Sequence, residues 1–314
     1  MKAVQIEKNG SDDVVKLVNI PKPSINSNQV LVEVYAASVN PFDWKFREGI
    51  VGKINPGQFP VTLGGDFSGK IIKTGSNVSN FKTGDSVYGF ASVLRGGSGA
   101  FAEFAAADSS LIGYKPKQIN FSDAAAIPMA GIRAWMVIFN YLQLKKDQKI
   151  LIHGGGGGIG SFAVQLAKFA GAYVATTCNM LDIELVKSLG ANEVIDYKKD
   201  SFELILKDYD AVFDNVGGEI FRKSFKILKP GGTIVSMLEK PDDELSEKYN
   251  FKYIQQNREI DPQAFSEISD LLEKKLLKIK VGKIFSLGNI QEALRVQEKE
   301  HVQGKLVIII KDEN

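Results

Sequence analysis

Residues 149–160 read KILIHGGGGGIG: Lys149-Ile150-Leu151-Ile152-His153, then Gly154 to Gly158, Ile159 and Gly160. A glycine run of this kind is either a slack linker or a loop shaped around a ligand, and its flanks decide. Linkers have polar, disordered neighbours. Here the apolar run Ile150-Leu151-Ile152 leads in. Ile159 to Ala170 leads out, with Phe162, Leu166 and Phe169 at the spacing of one helix face. Strand, glycines, helix is the context a dinucleotide loop requires, and Gly155 to Gly160 fits G-x-G-x-x-G. In that register Gly155 makes the tight turn, Gly157 lets backbone approach a pyrophosphate, and Gly160 packs helix on strand. Gly158 and Ile159 open the helix, whose N–H groups and partial positive charge face the phosphates. Gly156 is outside the fingerprint, so Gly156→Ala is expected to be tolerated. A methyltransferase loop would set an acid beside the glycines, where His153 stands. A P-loop needs Gly-Lys-Ser/Thr, and Ile159-Gly160-Ser161 does not supply it.

Around this stretch the texture is that of an α/β chain. From Ser122 onward, an N-cap signal, strands and helices alternate: strand Tyr173–Thr177, helix Leu181–Leu189, strands Val194-Ile195 and Ala211–Phe213. A helix Phe221–Leu228, a turn Lys229–Gly232 and a strand Thr233–Val235 follow. Such alternation predicts a doubly wound parallel sheet. Residues 1–122 are β-rich with closely spaced turn signals, among them Pro21-Lys22-Pro23, Asn55-Pro56-Gly57 and Thr83-Gly84-Asp85. After Asp261 the alternation stops. Helices Ala264–Lys274 and Ile290–Lys299 flank a charged segment, and a strand Lys305–Ile310 ends the pattern. The expected division is therefore 1–122, 123–261 and 262–314.

Composition narrows the function. The 314 residues are 44% hydrophobic and 24% charged with a net charge of +2, ordinary for a globular protein, and no basic run suggests a nucleic-acid or membrane partner. One cysteine and two histidines exclude a disulfide framework and most metal sites. With no signal peptide visible, a cytoplasmic location is the expectation.

Cofactor choice is read from the second strand of the alternating region. An NAD site sets Asp or Glu about 20 residues past the glycines, on the ribose 2′-OH. The chain has Ala175-Thr176-Thr177-Cys178-Asn179 there, with Asp182 and Glu184 falling later, in the helix. Neutral Thr177 and Asn179 would tolerate a 2′-phosphate, so NADPH is expected over NADH. Lys187, Tyr197 and Lys198 are candidates to hold that phosphate. Asn215, Val216, Gly217 and Ser236 stand at strand ends, on the edge where such sheets bind ligands.

The chain resembles zinc-independent members of the medium-chain dehydrogenase/reductase superfamily, in the quinone oxidoreductase (zeta-crystallin-like) branch. The resemblance spans nearly the whole length. It rests on Val39 to Lys45, Pro60 to Gly69, Gly97 to Phe104, Ile127 to Gly131, the glycine loop, Asp214 to Gly218 and Gly304 to Val307. It implies a GroES-like β-rich catalytic domain, a Rossmann domain and a C-terminal return to the first, with the active site in the cleft between them. The superfamily's zinc ligands correspond to Asn40 and Gly65 here, and neither can hold zinc; metal-free chemistry is expected. The implied activity is NADPH-dependent reduction of quinones or α,β-unsaturated carbonyls, in a homodimer that pairs through Phe251–Ile254. Asn40 would stand near the nicotinamide, Asp43 would orient Asn40 or Lys45, and Lys45 is the candidate proton donor. Lys305 would approach the cofactor, Asn215 to Gly217 would flank its nicotinamide half, and Phe42, Trp44 and Phe90 could line a flat pocket. His153 reads as a strand-end packing residue and Cys178 as a neighbour of the adenosine ribose. The alternative is a non-catalytic, structural or sensory NADP(H) binder on the same scaffold.

Overall fold

The computed structural model describes residues 1–52, 54–240, 243–255 and 259–313. The chain forms two compact units, one of Met1–Met129 with Pro262–Asn314, the other of Ala130–Asp261. The first begins with β1 (Lys2–Ile6), β2 (Lys16–Asn19), β3 (Gln29–Val39), β4 (Val61–Thr62), β5 (Asp66–Thr74), β6 (Ser86–Phe90), β7 (Phe104–Asp108) and β8 (Ile112–Tyr114). The second holds β9 (Lys149–His153), β10 (Tyr173–Cys178), β11 (Glu193–Asp196), β12 (Tyr209–Asp214), β13 (Leu228–Ser236) and β14 (Lys252–Gln255). The chain then returns to the first unit as β15 (Val281–Ser286) and β16 (Lys305–Ile309).

The strands of the second unit pair in the order β11-β10-β9-β12-β13-β14, all parallel. That is the doubly wound order, and its direction of winding reverses between β9 and β12. Side chains from four strands, Leu151, Ala175, Val212 and Ile234, pack with Phe202, Phe221, Phe225 and Phe251 into one core. The glycine loop leaves the C-terminal end of β9 and Asn215 follows β12, so both flank the reversal.

In the first unit the eleven-residue β3 is the spine, pairing antiparallel with β5, β7 and β16. It is buried along nearly its whole length, which is why Val30 to Val39 lacks polar alternation. Its core joins Val30, Val32, Phe67 and Phe101 to Leu306 and Ile308 of the returning strand. β16 pairs with β3 in a register that sets Leu306 opposite Val39, placing Lys305 beside the strand's end and Asn40. Asn40 caps the helix Pro41–Arg47, with Pro41 at the first position, where a missing N–H costs nothing.

Several expected boundaries differ. The cap before Ala124 is Asn120, whose side chain accepts from Asp123 N at 2.6 Å, and the helix runs Phe121–Ala125. That helix belongs to the first unit: Ser68 Oγ donates to Phe121 O at 2.5 Å, and the Tyr35 and Phe121 rings stack 4.3 Å apart. Lys229–Gly232 is not a free turn but a bulge within β13, where the pairing jumps from Tyr209↔Leu228 to Ala211↔Thr233. β15 lies in the segment read only as charged. It is the edge strand of its sheet and mostly exposed, so it carries no apolar alternation.

Candidate functional site

The second unit supplies a ligand cradle. The helix Gly158–Phe169 has Gly157 as its N-cap, with no side chain capping it. Its first-turn N–H groups therefore remain for a partner outside the helix. A Cβ added at Gly155 would collide with Thr176 Oγ1, and one at Gly160 with Gly154 O. One at Gly157 would meet only Gly154 O, at 3.4 Å, and otherwise open space. The loop is thus closed on its protein side and open where a pyrophosphate would lie. Gly156 corrects an expectation: its Cβ would land on the Asp182 carboxylate, so alanine does not fit there.

Thr177, beside His153 in the sheet register, is buried. Its Oγ1 lies 3.0 Å from His153 Nδ1 and accepts from Gly154 N at 3.3 Å. It braces the loop from beneath. Asn179 spends its Oδ1 on Leu181 N at 2.7 Å, starting the turn Met180–Asp182. Tyr197 stands on the neighbouring strand end, 52% exposed. Its N–H donates to Cys178 O at 3.2 Å, so Asn179 and Tyr197 rise from adjacent positions. Burial pushes the Cys178 thiol up to about 12, with Asp182 and Asp196 adding to it, which leaves the sulfur inert.

At the end of β12, Asp214 Oδ1 accepts from Val216 N at 3.0 Å and Gly217 N at 2.9 Å, shaping the loop. Val216 projects, 49% exposed, and Gly217 takes a φ of 78° that a side chain would resist. Asn215 Nδ2 donates to His153 O at 3.1 Å, while its Oδ1 is buried with no partner. A buried acceptor left open asks for a donor. Ser236, at the end of β13, donates its hydroxyl hydrogen to Asp214 Oδ2 at 2.7 Å and accepts from Leu238 N and Glu239 N, each at 3.1 Å. The signal for Asp214 lay unread in the sequence, since an acid at a strand end does not announce that it faces its own backbone.

The first unit gathers a buried polar cluster. Asn40 Nδ2 donates to Asp66 Oδ2 at 2.9 Å and makes a long contact of 3.5 Å with Ser38 O. Asn40 Oδ1 accepts from the Lys305 ammonium, which also donates to Val39 O at 3.2 Å and pairs with Asp66 Oδ2 at 3.7 Å. Asp66 Oδ2 further accepts from Ser38 Oγ at 3.0 Å and Met129 N at 3.2 Å; its Oδ1 is buried without a partner. Asp43 Oδ2 accepts from Asn40 N at 2.7 Å. Asn40 and Asp43 do meet, then, but both polar ends of the Asn40 amide turn inward. Lys305 thus makes two hydrogen bonds and one ion pair inside the first unit. Asp66 is the hub of this cluster, accepting from Ser38, Asn40 and Met129.

Burial raises the Asp43 carboxyl to about 7, the nearby Asp66 charge adding and the Asn40 N–H and Lys305 opposing. Burial also raises Asp66 and lowers Lys305, each partly restored by the other. Asp66 has three hydrogen-bond donors besides the ammonium and Asp43 has one, so the spare proton stays on Asp43. Lys45 lies outside this cluster, half-buried, its ammonium 5.5 Å from the Trp44 ring. Phe42, Trp44 and Phe90 do not form an open bay. Phe42 stacks on Phe46, Trp44 packs on the core, and Phe90 is buried edge-on to Phe265. A recess of about 570 Å³ lies elsewhere in this unit, among Gln5, Ile54, Thr62, Val93 and Leu94.

Two family models match: an alcohol dehydrogenase GroES-like domain over residues 26–117 and a zinc-binding dehydrogenase over 189–308. A chloroplast envelope quinone oxidoreductase homolog of Arabidopsis thaliana is 33% identical over 93% of this chain and 92% of its own. A chloroplastic NADPH-dependent alkenal/one oxidoreductase of the same plant is 33% identical over 98% of this chain and 79% of its own. The solved quinone oxidoreductase of Coxiella burnetii superposes with a TM-score of 0.92 at 34% identity, covering 99% of both chains.

Proposed function

The chain belongs to the medium-chain dehydrogenase/reductase family, with the quinone and enone oxidoreductases, and from that premise we propose that it reduces quinones or α,β-unsaturated carbonyls with NADPH and without a metal. The observation that carries the cofactor half is the open face of the glycine loop, with uncapped first-turn N–H groups and the open Asn215 Oδ1 in the same unit. These fit a dinucleotide: the N–H groups of Gly158, Ile159 and Gly160 would take the pyrophosphate, and Asn215 Oδ1 an amide donor. Asn179 and Tyr197 would accompany the 2′-phosphate, with Lys198 next in sequence. Bound NADPH supplies the hydride.

The donor set supports metal-free chemistry. Where the family's zinc enzymes would have a ligand, Asn40 instead gives its Oδ1 to an ammonium from the chain itself, and Gly65 offers no ligand atom. Hydride addition leaves an oxyanion on the substrate, which requires a donor and then a proton. Asp43, raised by burial to about 7, is a group that can hold that proton, and its Oδ1 is the oxygen not taken by Asn40 N. Lys45, the half-exposed cation of the same helix, is the donor able to reach out. Asn40 orients the cluster and does not donate outward.

Mixing the protein with NADPH and a panel of quinones and alkenals tests this. NADPH absorbance should fall, and a chelator should not slow it. Binding without turnover across both panels would favour a non-catalytic binder, a reading encouraged by the pairing of both ends of the Asn40 amide within the cluster. A homodimer belongs to the same proposal, since β14 stands at one end of the sheet order; sedimentation would test it. Among the described residues no helix is long and apolar enough to cross a membrane. A cytoplasmic location remains part of the proposal, the two plant relatives being named for the chloroplast.

A further inference from the structure

We propose that His153 is a positioning residue: its carbonyl and Nδ1 lock the three strand ends that carry the dinucleotide contacts into one register, and its Nε2 ties them to the helix that follows Gly217. The inference rests on the NADPH reading above for what the register serves, and on hydrogen-bond counting for the register itself.

The ring is fully buried at the end of β9. Nδ1 lies 3.0 Å from Thr177 Oγ1 at the end of β10, and Nε2 lies 2.9 Å from Ser224 Oγ on the helix that follows Gly217. The His153 carbonyl accepts from Asn215 Nδ2 at the end of β12, at 3.1 Å. Hydrogen placement is then determined by elimination. Ser224 has one hydroxyl hydrogen, and it goes to Ile220 O at 2.7 Å. Ser224 Oγ must therefore accept, so Nε2 carries the proton. Nδ1 is bare, so Thr177 donates its hydroxyl hydrogen to it. Thr177 Oγ1 keeps its lone pairs for Gly154 N. The Gly154 N–H is shared between Thr177 O at 3.0 Å and Thr177 Oγ1, and the chain of bonds runs from the first glycine of the loop to the helix beyond Gly217.

A neutral ring fits these bonds: a second ring proton would turn Thr177 Oγ1 into an acceptor and strip its hydroxyl hydrogen of the Nδ1 partner. Burial holds His153 down to about 3; the one charge acting on it is Glu203, whose carboxylate is paired with Lys223 at 3.1 Å. Phe202 packs edge-on to the imidazole, with centroids 4.7 Å apart. The relay thus makes Thr177 a brace for the loop and not a cofactor ligand. It joins the loop that would hold the pyrophosphate to the segment that would hold the nicotinamide.

The chain has only two histidines, so the imidazole nitrogens can be read directly in the intact protein by nitrogen NMR. His153 should show the Nε2–H form, unchanged from about pH 5 to pH 8, the range where a free imidazole titrates. Thr177→Val should shift Nδ1 and weaken NADPH binding about 5- to 10-fold, the loss of one hydroxyl hydrogen bond. Thr177→Ser should restore both the resonance and the affinity, which a purely space-filling role would not require. An Nδ1–H ring, a ring that titrates in that range, or equal NADPH affinity in the valine and serine variants would each overturn the proposal. Failure of the parent protein to bind NADPH would instead refute the functional reading. The relay would then stand or fall on the tautomer in cofactor-free protein.

Discussion

The glycines separate packing from binding one residue at a time. Gly156→Ala forces a methyl into the Asp182 carboxylate and should cost about 1–3 kcal/mol of stability, read by denaturant unfolding. Gly157→Val should fold with near-parental stability yet lose NADPH affinity, measured by fluorescence titration, because its side chain would fill the open face of the loop. Two buried groups tilt stability in opposite directions with pH. Folded Asp43 keeps its proton up to about 7 against 3.8 when free, so over that interval the folded state holds more protons and stability falls as pH rises. His153 stays neutral down to about 3 against 6.5 when free, so stability falls as pH drops through that interval. Between 3.8 and 6.5 the two slopes, each at most about 1.4 kcal/mol per pH unit, oppose one another. Asp43→Asn should unmask the histidine slope, giving a protein whose stability climbs more steeply with pH than the parent's. Matching profiles would refute the assignment. Lys305→Met strips Asp66 of its ammonium and should cost about 3–5 kcal/mol, more at high pH than at low, since a protonated carboxyl needs no counter-charge.

At the scale of elements, the turn chemistry shows why some were legible and others were not. The helix Gly158–Phe169 announced itself through apolar spacing, and the structure ends it one residue from the expected place. The helix Phe121–Ala125 was misjudged at its start because Ser122 is also a good cap; the winner, Asn120, is set by which side chain reaches Asp123 N. Asn120→Ala should therefore destabilise by about 1 kcal/mol, whereas Ser122→Ala should change stability little, as thermal unfolding would show. The bulge in β13 has every local mark of a turn, Lys229-Pro230-Gly231-Gly232. Only pairing on both sides of it, Tyr209↔Leu228 and Ala211↔Thr233, makes it an interruption inside a strand.

For the whole molecule, the return of the chain after Pro262 completes the first unit, and the second is continuous in sequence. A fragment comprising Ala130–Asp261 should fold alone, since its six-stranded sheet and aromatic core are complete within it. It should also bind NADPH, for every residue assigned to the cradle lies inside it. Circular dichroism and cofactor titration of the fragment check both, and a folded fragment with no affinity would mean that the cradle is misassigned.

The sequence by itself determined the α/β class, the strand–glycine–helix phosphate loop and the family. These depend on short-range order: apolar spacing and residue types within a few positions of each other. Tertiary structure alone decided which polar atoms remain available. Lys305 and Asn40 are 265 positions apart, yet the pairing of β16 with β3 spends each on the other. The side chains of Thr177, Ser236 and Lys305 can all bind a ligand, and only the fold shows which of their polar atoms the chain itself engages. A buried polar group must find a partner, and which partner is near is a property of the three-dimensional register that no local pattern encodes.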